Sequence, residues 1–253
     1  MIEKGRKRRG NSRFIVYFSL ILILLSVAGI FGYRTLCKAD WLNIQNIEII
    51  GNENISSQTL RTILQPYAET NLLALSSHEV KDDLYKIKRI ADIKVIKLFP
   101  STLKVKITER KGFLYLLSRE GDLFPVDEQG MVIEYSFSPS QEDLPIVHTS
   151  YSSKQLHAGK IVKDNFLNRV YALQKQIISE QPDFVKSVSE YYKQGDLIVI
   201  IDARYGTRII LGDQNIKDQL RRYQFVRENS SIERDKILDL RFKDQIIVRR
   251  EVE

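Results

Sequence analysis

The chain has 253 residues, 43% of them hydrophobic and 28% charged, with a formal net charge of +7 and one cysteine. That composition is ordinary for a folded protein, and the single cysteine excludes an intramolecular disulfide framework and any multi-cysteine zinc site. The positive charge suggests a nucleic-acid surface only until it is located. The first thirteen residues hold Lys4, Arg6, Lys7, Arg8, Arg9 and Arg13 against Glu3, a net +5 that leaves +2 for all the rest.

Directly after this arm, Phe14 to Tyr33 is a run of 20 uncharged, mostly apolar residues. A helix of that length reaches about 30 Å, the thickness of a bilayer's hydrocarbon core. The run predicts one transmembrane helix over 14–33. The basic arm, 1–13, is expected to stay cytoplasmic, with the bulk of the chain on the far side of the cytoplasmic membrane, periplasmic if the cell has an outer membrane. A cleaved signal peptide has a shorter apolar core and a small-residue cleavage site, whereas Ile30, Phe31 and Tyr33 carry bulk to the end and Arg34 follows. Cys37 is preceded by Arg34, Thr35 and Leu36, which is not the small-residue approach of a lipidation signal.

The next segment, 41–110, reads as strand, two helices and a pair of strands. Ile47 and Ile49 alternate with polar neighbours up to the turn signal Gly51-Asn52. Ser56 or Ser57 starts a helix carrying Leu60, Ile63 and Leu64 on one face, and Pro66 ends it. A second helix begins near Ser76 or Ser77 and repeats Val80, Leu84 and Ile87 at the same period. Ile93, Val95 and Leu98 form another strand, and Phe99-Pro100-Ser101-Thr102 turns the chain into the last one. There Leu103, Val105 and Ile107 alternate strictly with Lys104, Lys106 and Thr108, leaving one face apolar and the other cationic. The order β-α-α-β-β predicts both helices on one face of a small sheet, an α+β module.

Residues 111–253 predict a mainly antiparallel β domain covered by two helices. Phe113 to Leu117 is a strand, and Leu123 to Val126 with Met131 to Tyr135 flank the Asp127 to Gly130 turn as a hairpin. Phe166, Val170, Leu173 and Ile177 recur at helical spacing until Pro182. Val188 to Tyr192, Leu197 to Ile201 and Thr207 to Leu211 form a meander with Gly195 and Gly206 in its links, and the apolar run 197–201 marks the most buried strand. Ile216, Leu220, Tyr223 and Val226 give the second helix, and Ile237 to Arg241 and Ile246 to Arg250 the last two strands.

These residues carry a resemblance. Ile47-Glu48-Ile49-Ile50-Gly51-Asn52, Asn71-Leu72-Leu73, Ile93-Lys94-Val95, Phe99-Pro100-Ser101-Thr102-Leu103 and Ile107-Thr108-Glu109-Arg110 resemble a POTRA module of the FtsQ/DivIB type. Val126-Asp127-Glu128-Gln129-Gly130, Leu144-Pro145, Leu211-Gly212 and Asp239-Leu240-Arg241-Phe242 continue the similarity in the same order through the β domain. The departures are local: Lys88-Arg89-Ile90-Ala91 replaces a proline-aromatic pair, Lys111-Gly112 follows Glu109-Arg110 where a proline is usual, and His148 stands where a glycine commonly follows Leu-Pro. The resemblance implies a single-span protein of the bacterial divisome, at the division septum, acting in cell division by protein-protein interaction.

Bond chemistry has no candidate. His78, His148 and His157 are scattered without metal-ligand spacing and read as surface groups in a helix start and two loops, no P-loop, G-x-S-x-G or G-x-G-x-x-G occurs, and Asp82-Asp83 and Glu142-Asp143 are adjacent carboxylates typical of a solvated surface. No catalytic, metal or cofactor-binding residue is assigned, and no enzymatic activity, nucleic-acid partner or small-molecule substrate is expected. Recognition remains. A closing strand is often a sheet edge that another chain completes, and Lys243, Arg249 and Arg250 either guard that edge or select an acidic partner. The resemblance implies that the edge holds the small division protein FtsB in complex with FtsL, with Arg241, Phe242, Asp244, Ile246, Ile247 and Val248 as contacts. Lys104 and Lys106 offer a second surface for another divisome component or anionic lipid. The alternatives are a POTRA-bearing chaperone of outer-membrane protein insertion or secretion, and a membrane-anchored hydrolase whose residues converge only in the fold.

Overall fold

The computed structural model describes residues 12–135, 143–212, 214–230, 236–243 and 245–250; the arm before Ser12, Glu142 and Asp244 lie outside the described residues. Contacts divide the chain into two compact units, one of Met1–Gly51, Ser57–Leu84 and Ile93–Ile107, the other of Asn52–Ser56, Tyr85–Asp92 and Thr108–Glu253.

The first unit opens with α1 (Ser12–Leu36), within which Val16–Leu36 is apolar and long enough to cross a bilayer, with no residue buried inside the protein. The chain then forms β1 (Asn46–Ile50), α2 (Ser57–Leu64), α3 (Ser77–Leu84), β2 (Ile90–Leu98) and β3 (Thr102–Glu109). The expected β-α-α-β-β order is found. The two helices between β1 and β2 return the chain far enough that β3 enters the middle, giving the order β1-β3-β2 with β1 and β3 parallel. Strict alternation makes β3 the spine: Leu103, Val105 and Ile107 are buried, as are Leu60, Leu64, Val80 and Leu84 of the helices. Gly51 ends β1 at φ +85°, and a Cβ there would lie 2.2 Å from the Ile107 carbonyl oxygen, so no other residue fits.

The second unit is an eight-stranded sheet made of β4 (Leu114–Leu117), β5 (Leu123–Val126), β6 (Ile146–His148), β7 (Val188–Gln194), β8 (Leu197–Asp202), β9 (Arg208–Ile210), β10 (Lys236–Asp239) and β11 (Ile247–Arg250), in the order β11-β10-β9-β8-β7-β6-β4-β5. The pairs β4-β5, β7-β8, β8-β9 and β10-β11 are antiparallel, while β4-β6, β6-β7 and β9-β10 are parallel. Two helices, α4 (Asn165–Glu180) and α5 (Ile216–Asn229), supply the residues that cover one face. Asp164 caps α4 by accepting the Leu167 N–H at 2.8 Å.

Register aligns one apolar row across this sheet: Leu116, Val147, Tyr191, Ile200, Ile209 and Leu238 stand side by side on six consecutive strands, all at 0% exposure. At roughly 1.5–3 kcal/mol per buried large side chain, such a row is a main source of cohesion. Two helix residues bond to sheet residues on this face: the Tyr191 hydroxyl donates to Gln174 Oε1 of α4, and Tyr223 of α5 donates to Asp202 Oδ2 at the end of β8.

Four local expectations change. His148 lies in a strand, not a loop: β6 is only three residues long, too short for periodicity to reveal. Met131 to Tyr135 makes isolated bridges, Val126 with Val132 and Met131 with Ile161, in place of a regular hairpin arm, because Gly130 and Val132 also exchange hydrogen bonds with Val162, Lys160 and Gly159. The strand expected over 207–211 is reduced to Arg208–Ile210. The closing strand begins at Ile247, since Ile246 turns its side chain against the helix-side core.

Candidate partner-binding edge

The last strand ends the sheet. β11 pairs with β10 alone among the described residues, with Val248 opposite Leu238 and Arg249 opposite Ile237. Val248 thereby continues the buried apolar row one strand further, yet it is 54% exposed. An edge strand presents backbone N–H and C=O groups with no ladder partner, and here an unfinished hydrophobic row accompanies them.

The hairpin that carries this edge is pinned from both sides. Asp239, the last residue of β10, has no exposed surface and accepts Arg241 Nε at 2.8 Å and Arg241 Nη2 at 2.7 Å, a bidentate pair, plus Arg249 Nη2 at 2.8 Å from β11. Burial works to raise the Asp239 pKa, but the Arg241 hydrogen bonds and the charges of Arg241 and Arg249 outweigh it and hold the carboxyl below its ordinary 3.8. The same hydrogen bond to Asp239 raises Arg241. From the other side, Arg222 of α5 donates to the carbonyls of Leu240 at 3.1 Å, Phe242 at 2.6 Å and Gln245 at 3.3 Å. Arg222 lines a shallow groove with Arg221, Phe225, Val226, Gln245 and Ile246, and Phe225 is 67% exposed in it.

The expected contact residues are therefore unequal. Ile247 and Val248 lie on the open strand, and Ile246 is half-buried beside it. Arg241 is engaged with Asp239 and stands 6.0 Å from the Phe242 ring centroid, so its charge is shared, not free. Asp244 lies outside the described residues. In the first unit, Lys104 Nζ lies 3.3 Å from Glu48 Oε2, whereas Lys106 is exposed. Arg222 and Asp239 escape sequence reasoning as site residues: an arginine on a helix face reads as solvated, and only the register shows that Asp239 has a strand-crossing partner. Among the described residues no group of three or more His, Cys, Asp or Glu is placed to hold a metal ion.

Two sequence signatures acquire a physical cause in the second unit. The Glu109 carboxylate accepts the backbone N–H groups of Glu53, Asn54 and Ile55 at 2.9–3.1 Å. Its neighbour Arg110 donates from Nη1 to Asp127 Oδ2 at 2.9 Å, while Asp127 Oδ1 accepts from Gln129 and Met131 N–H to close the turn at Gly130. Thr108-Glu109-Arg110 and Val126-Asp127-Glu128-Gln129-Gly130 are thus two halves of one polar junction.

Residues 42–110 match the family model of the POTRA domain, FtsQ-type. Over 219 residues the chain is 23% identical to a cell division protein FtsQ of Rickettsia bellii, covering 85% of this chain and 75% of that one. The chain is similar to the FtsQ/DivIB family over most of its length. The similarity extends to both branches of that family's naming: a cell division protein DivIB of Brevibacillus brevis is 23% identical over 76% of this chain and 68% of its own length, and one of Clostridium botulinum is 26% identical over 52% and 48%. These relatives are named as cell division proteins, and α1 is the one helix among the described residues that is long and apolar enough to cross a membrane.

Proposed function

We propose that this chain is a bitopic scaffold of the divisome that binds an FtsB/FtsL-type partner by strand addition at β11 and thereby localises and regulates septal peptidoglycan synthesis. The POTRA module over 41–110 and the β domain over 111–253 are its extracytoplasmic working parts, with the N-terminal arm cytoplasmic and the protein placed at the septum. The observation that carries the reading is the exposed Val248 at the end of the buried row, on a strand whose outer side has no ladder partner among the described residues. An added strand would place its own apolar side chain next to Val248 and extend the row, with affinity from backbone bonds and selectivity from flanking charge. Asp239, Arg241 and Arg249 together carry a net +1, which favours an acidic segment. Mechanistic output is placement by binding energy, without bond chemistry. Lys106, with Lys104 tempered by Glu48, is the proposed second surface for another divisome component.

The decisive experiment is a pull-down of the full-length detergent-solubilised protein with the extracytoplasmic part of its cognate FtsB, comparing wild type with Ile247→Pro and Val248→Asp. Proline removes a backbone donor and obstructs pairing, whereas aspartate leaves the backbone unchanged and interrupts the row. Loss of capture in both variants, with unchanged melting of Val248→Asp, supports the edge. Capture equal to wild type in both refutes it.

A further inference from the structure

We infer that the end of the POTRA unit next to α1 is a lipid-contact surface, on which Trp41, Leu98 and Phe99 enter the headgroup region of the outer leaflet and Asn71 fixes the unit in that position. The inference rests on the reading of α1 as the membrane span. All the residues involved belong to the first compact unit.

The chain leaving α1 is held, not tethered loosely. The Asn71 side-chain amide donates from Nδ2 to the Leu36 carbonyl at 3.0 Å and to the Ala39 carbonyl at 3.1 Å, capping the end of the membrane helix, while its Oδ1 accepts the N–H groups of Leu73 at 3.0 Å and Ala74 at 3.3 Å. Backbone bonds continue the attachment, from Leu72 N–H to Leu42 O at 2.8 Å and from Ile44 N–H to Thr70 O at 2.9 Å. Asn71-Leu72-Leu73 therefore joins the helix end to the module, which is the physical content of that sequence signature.

The close of β2 and the β2-β3 turn meet the same end. The Ser101 carbonyl accepts Gln45 N–H at 2.9 Å and Asn46 N–H at 3.2 Å, which brings the β2-β3 turn beside the chain just after Trp41. Lys97 Nζ, near the close of β2, donates to the Leu75 carbonyl at 2.6 Å and the Leu73 carbonyl at 3.3 Å. Trp41 follows Leu36 by five residues, at most about 17–18 Å of extended chain. Large apolar side chains are exposed on these segments, Trp41 at 61%, Phe99 at 58% and Leu98 at 41%, with the charged Lys38 and Asp40 exposed just before Trp41. Lys38, between the end of α1 and Trp41, is the exposed lysine nearest to that tryptophan in sequence. Aromatic rings with lysines that can snorkel are the composition of a membrane interface. Because this end is latched to the terminal turn of the spanning helix, the occupant the geometry favours is the bilayer itself.

The test uses the full chain in nanodiscs of phosphatidylcholine and phosphatidylglycerol. Trp41 is the sole tryptophan, so Trp41→Phe gives a silent background into which Phe99→Trp introduces one probe. Expected is blue-shifted emission, quenched at least twofold by lipids brominated near the headgroup end of the acyl chain. Adding Asn71→Asp, which keeps the Oδ1 acceptor but removes the Nδ2 donor, should reduce that quenching by half or more. Solvent-like emission from Phe99→Trp with no bromolipid quenching overturns the lipid contact, and quenching unaffected by Asn71→Asp overturns the latch. A Leu24→Trp probe in the same background separates the two readings. If it is quenched by deeply brominated lipid while Phe99→Trp is not, the docking alone falls; if it is not quenched either, the membrane span falls with it.

Discussion

Two carboxylates at strand ends, Glu109 closing β3 and Asp239 closing β10, do opposite jobs with similar chemistry. Glu109 collects three backbone N–H groups of a neighbouring loop, and its surroundings are completed within the chain. Asp239 collects two arginines and fixes a hairpin whose outer side is left open. The first arrangement is a junction and the second a frame for an edge. A family signature can thus mark either a site or merely the support on which the site stands, and the difference lies in whether the polar groups around it are all used.

That contrast can be broken by substitution, and the expected losses of stability fall in a definite order. Gly51→Ala should cost most, about 3 kcal/mol, because a left-handed residue and a Cβ at 2.2 Å from the Ile107 carbonyl are imposed together; thermal melting measures it. Glu109→Ala frees three amides and should cost about 2 kcal/mol without changing partner affinity. If affinity fell at wild-type stability, the junction would itself be a binding site. Arg222→Ala releases three hairpin carbonyls, and about 1–2 kcal/mol is expected together with weaker partner capture, since β11 loses its support.

The Asp239 frame also has a pH signature. Its folded pKa lies below the ordinary 3.8, so its contribution is complete above that pH and is lost as pH falls through the lowered folded value. Wild type should therefore lose stability below about pH 4 more steeply than Asp239→Asn, which titrates nothing at that position; parallel acid melting curves would show that the arginine pairs are energetically idle. Smallest in stability is Val248→Ser, within about 0.5 kcal/mol because the side chain is already exposed. Its effect should appear in affinity, and so separate the edge from the junction.

Much of this was legible in the chain itself. The run from Phe14 to Tyr33 determined the span by length alone, and the strict alternation of Leu103, Val105 and Ile107 determined a half-buried strand, because both signals are local and need no partner. Glycine at 51 and proline at 66 punctuated the module for the same reason. The continuous apolar run of 197–201 identified a central strand but not its neighbours, since a strand buried on both faces has no alternation to read.

Only the tertiary structure decided what depends on residues far apart in sequence. Three-residue β6 has no pattern of its own and exists because β4 and β7 flank it. Val248 is a surface valine in the sequence and the end of a row in the sheet, which only register across six other strands reveals. Asn71 stands in the sequence only as part of the Asn71-Leu72-Leu73 signature, and the fold brings its amide to the carbonyls of Leu36 and Ala39. Local periodicity fixes which face of an element is apolar, whereas pairing between distant segments fixes what that face meets, and the sites of this protein are made of such pairings.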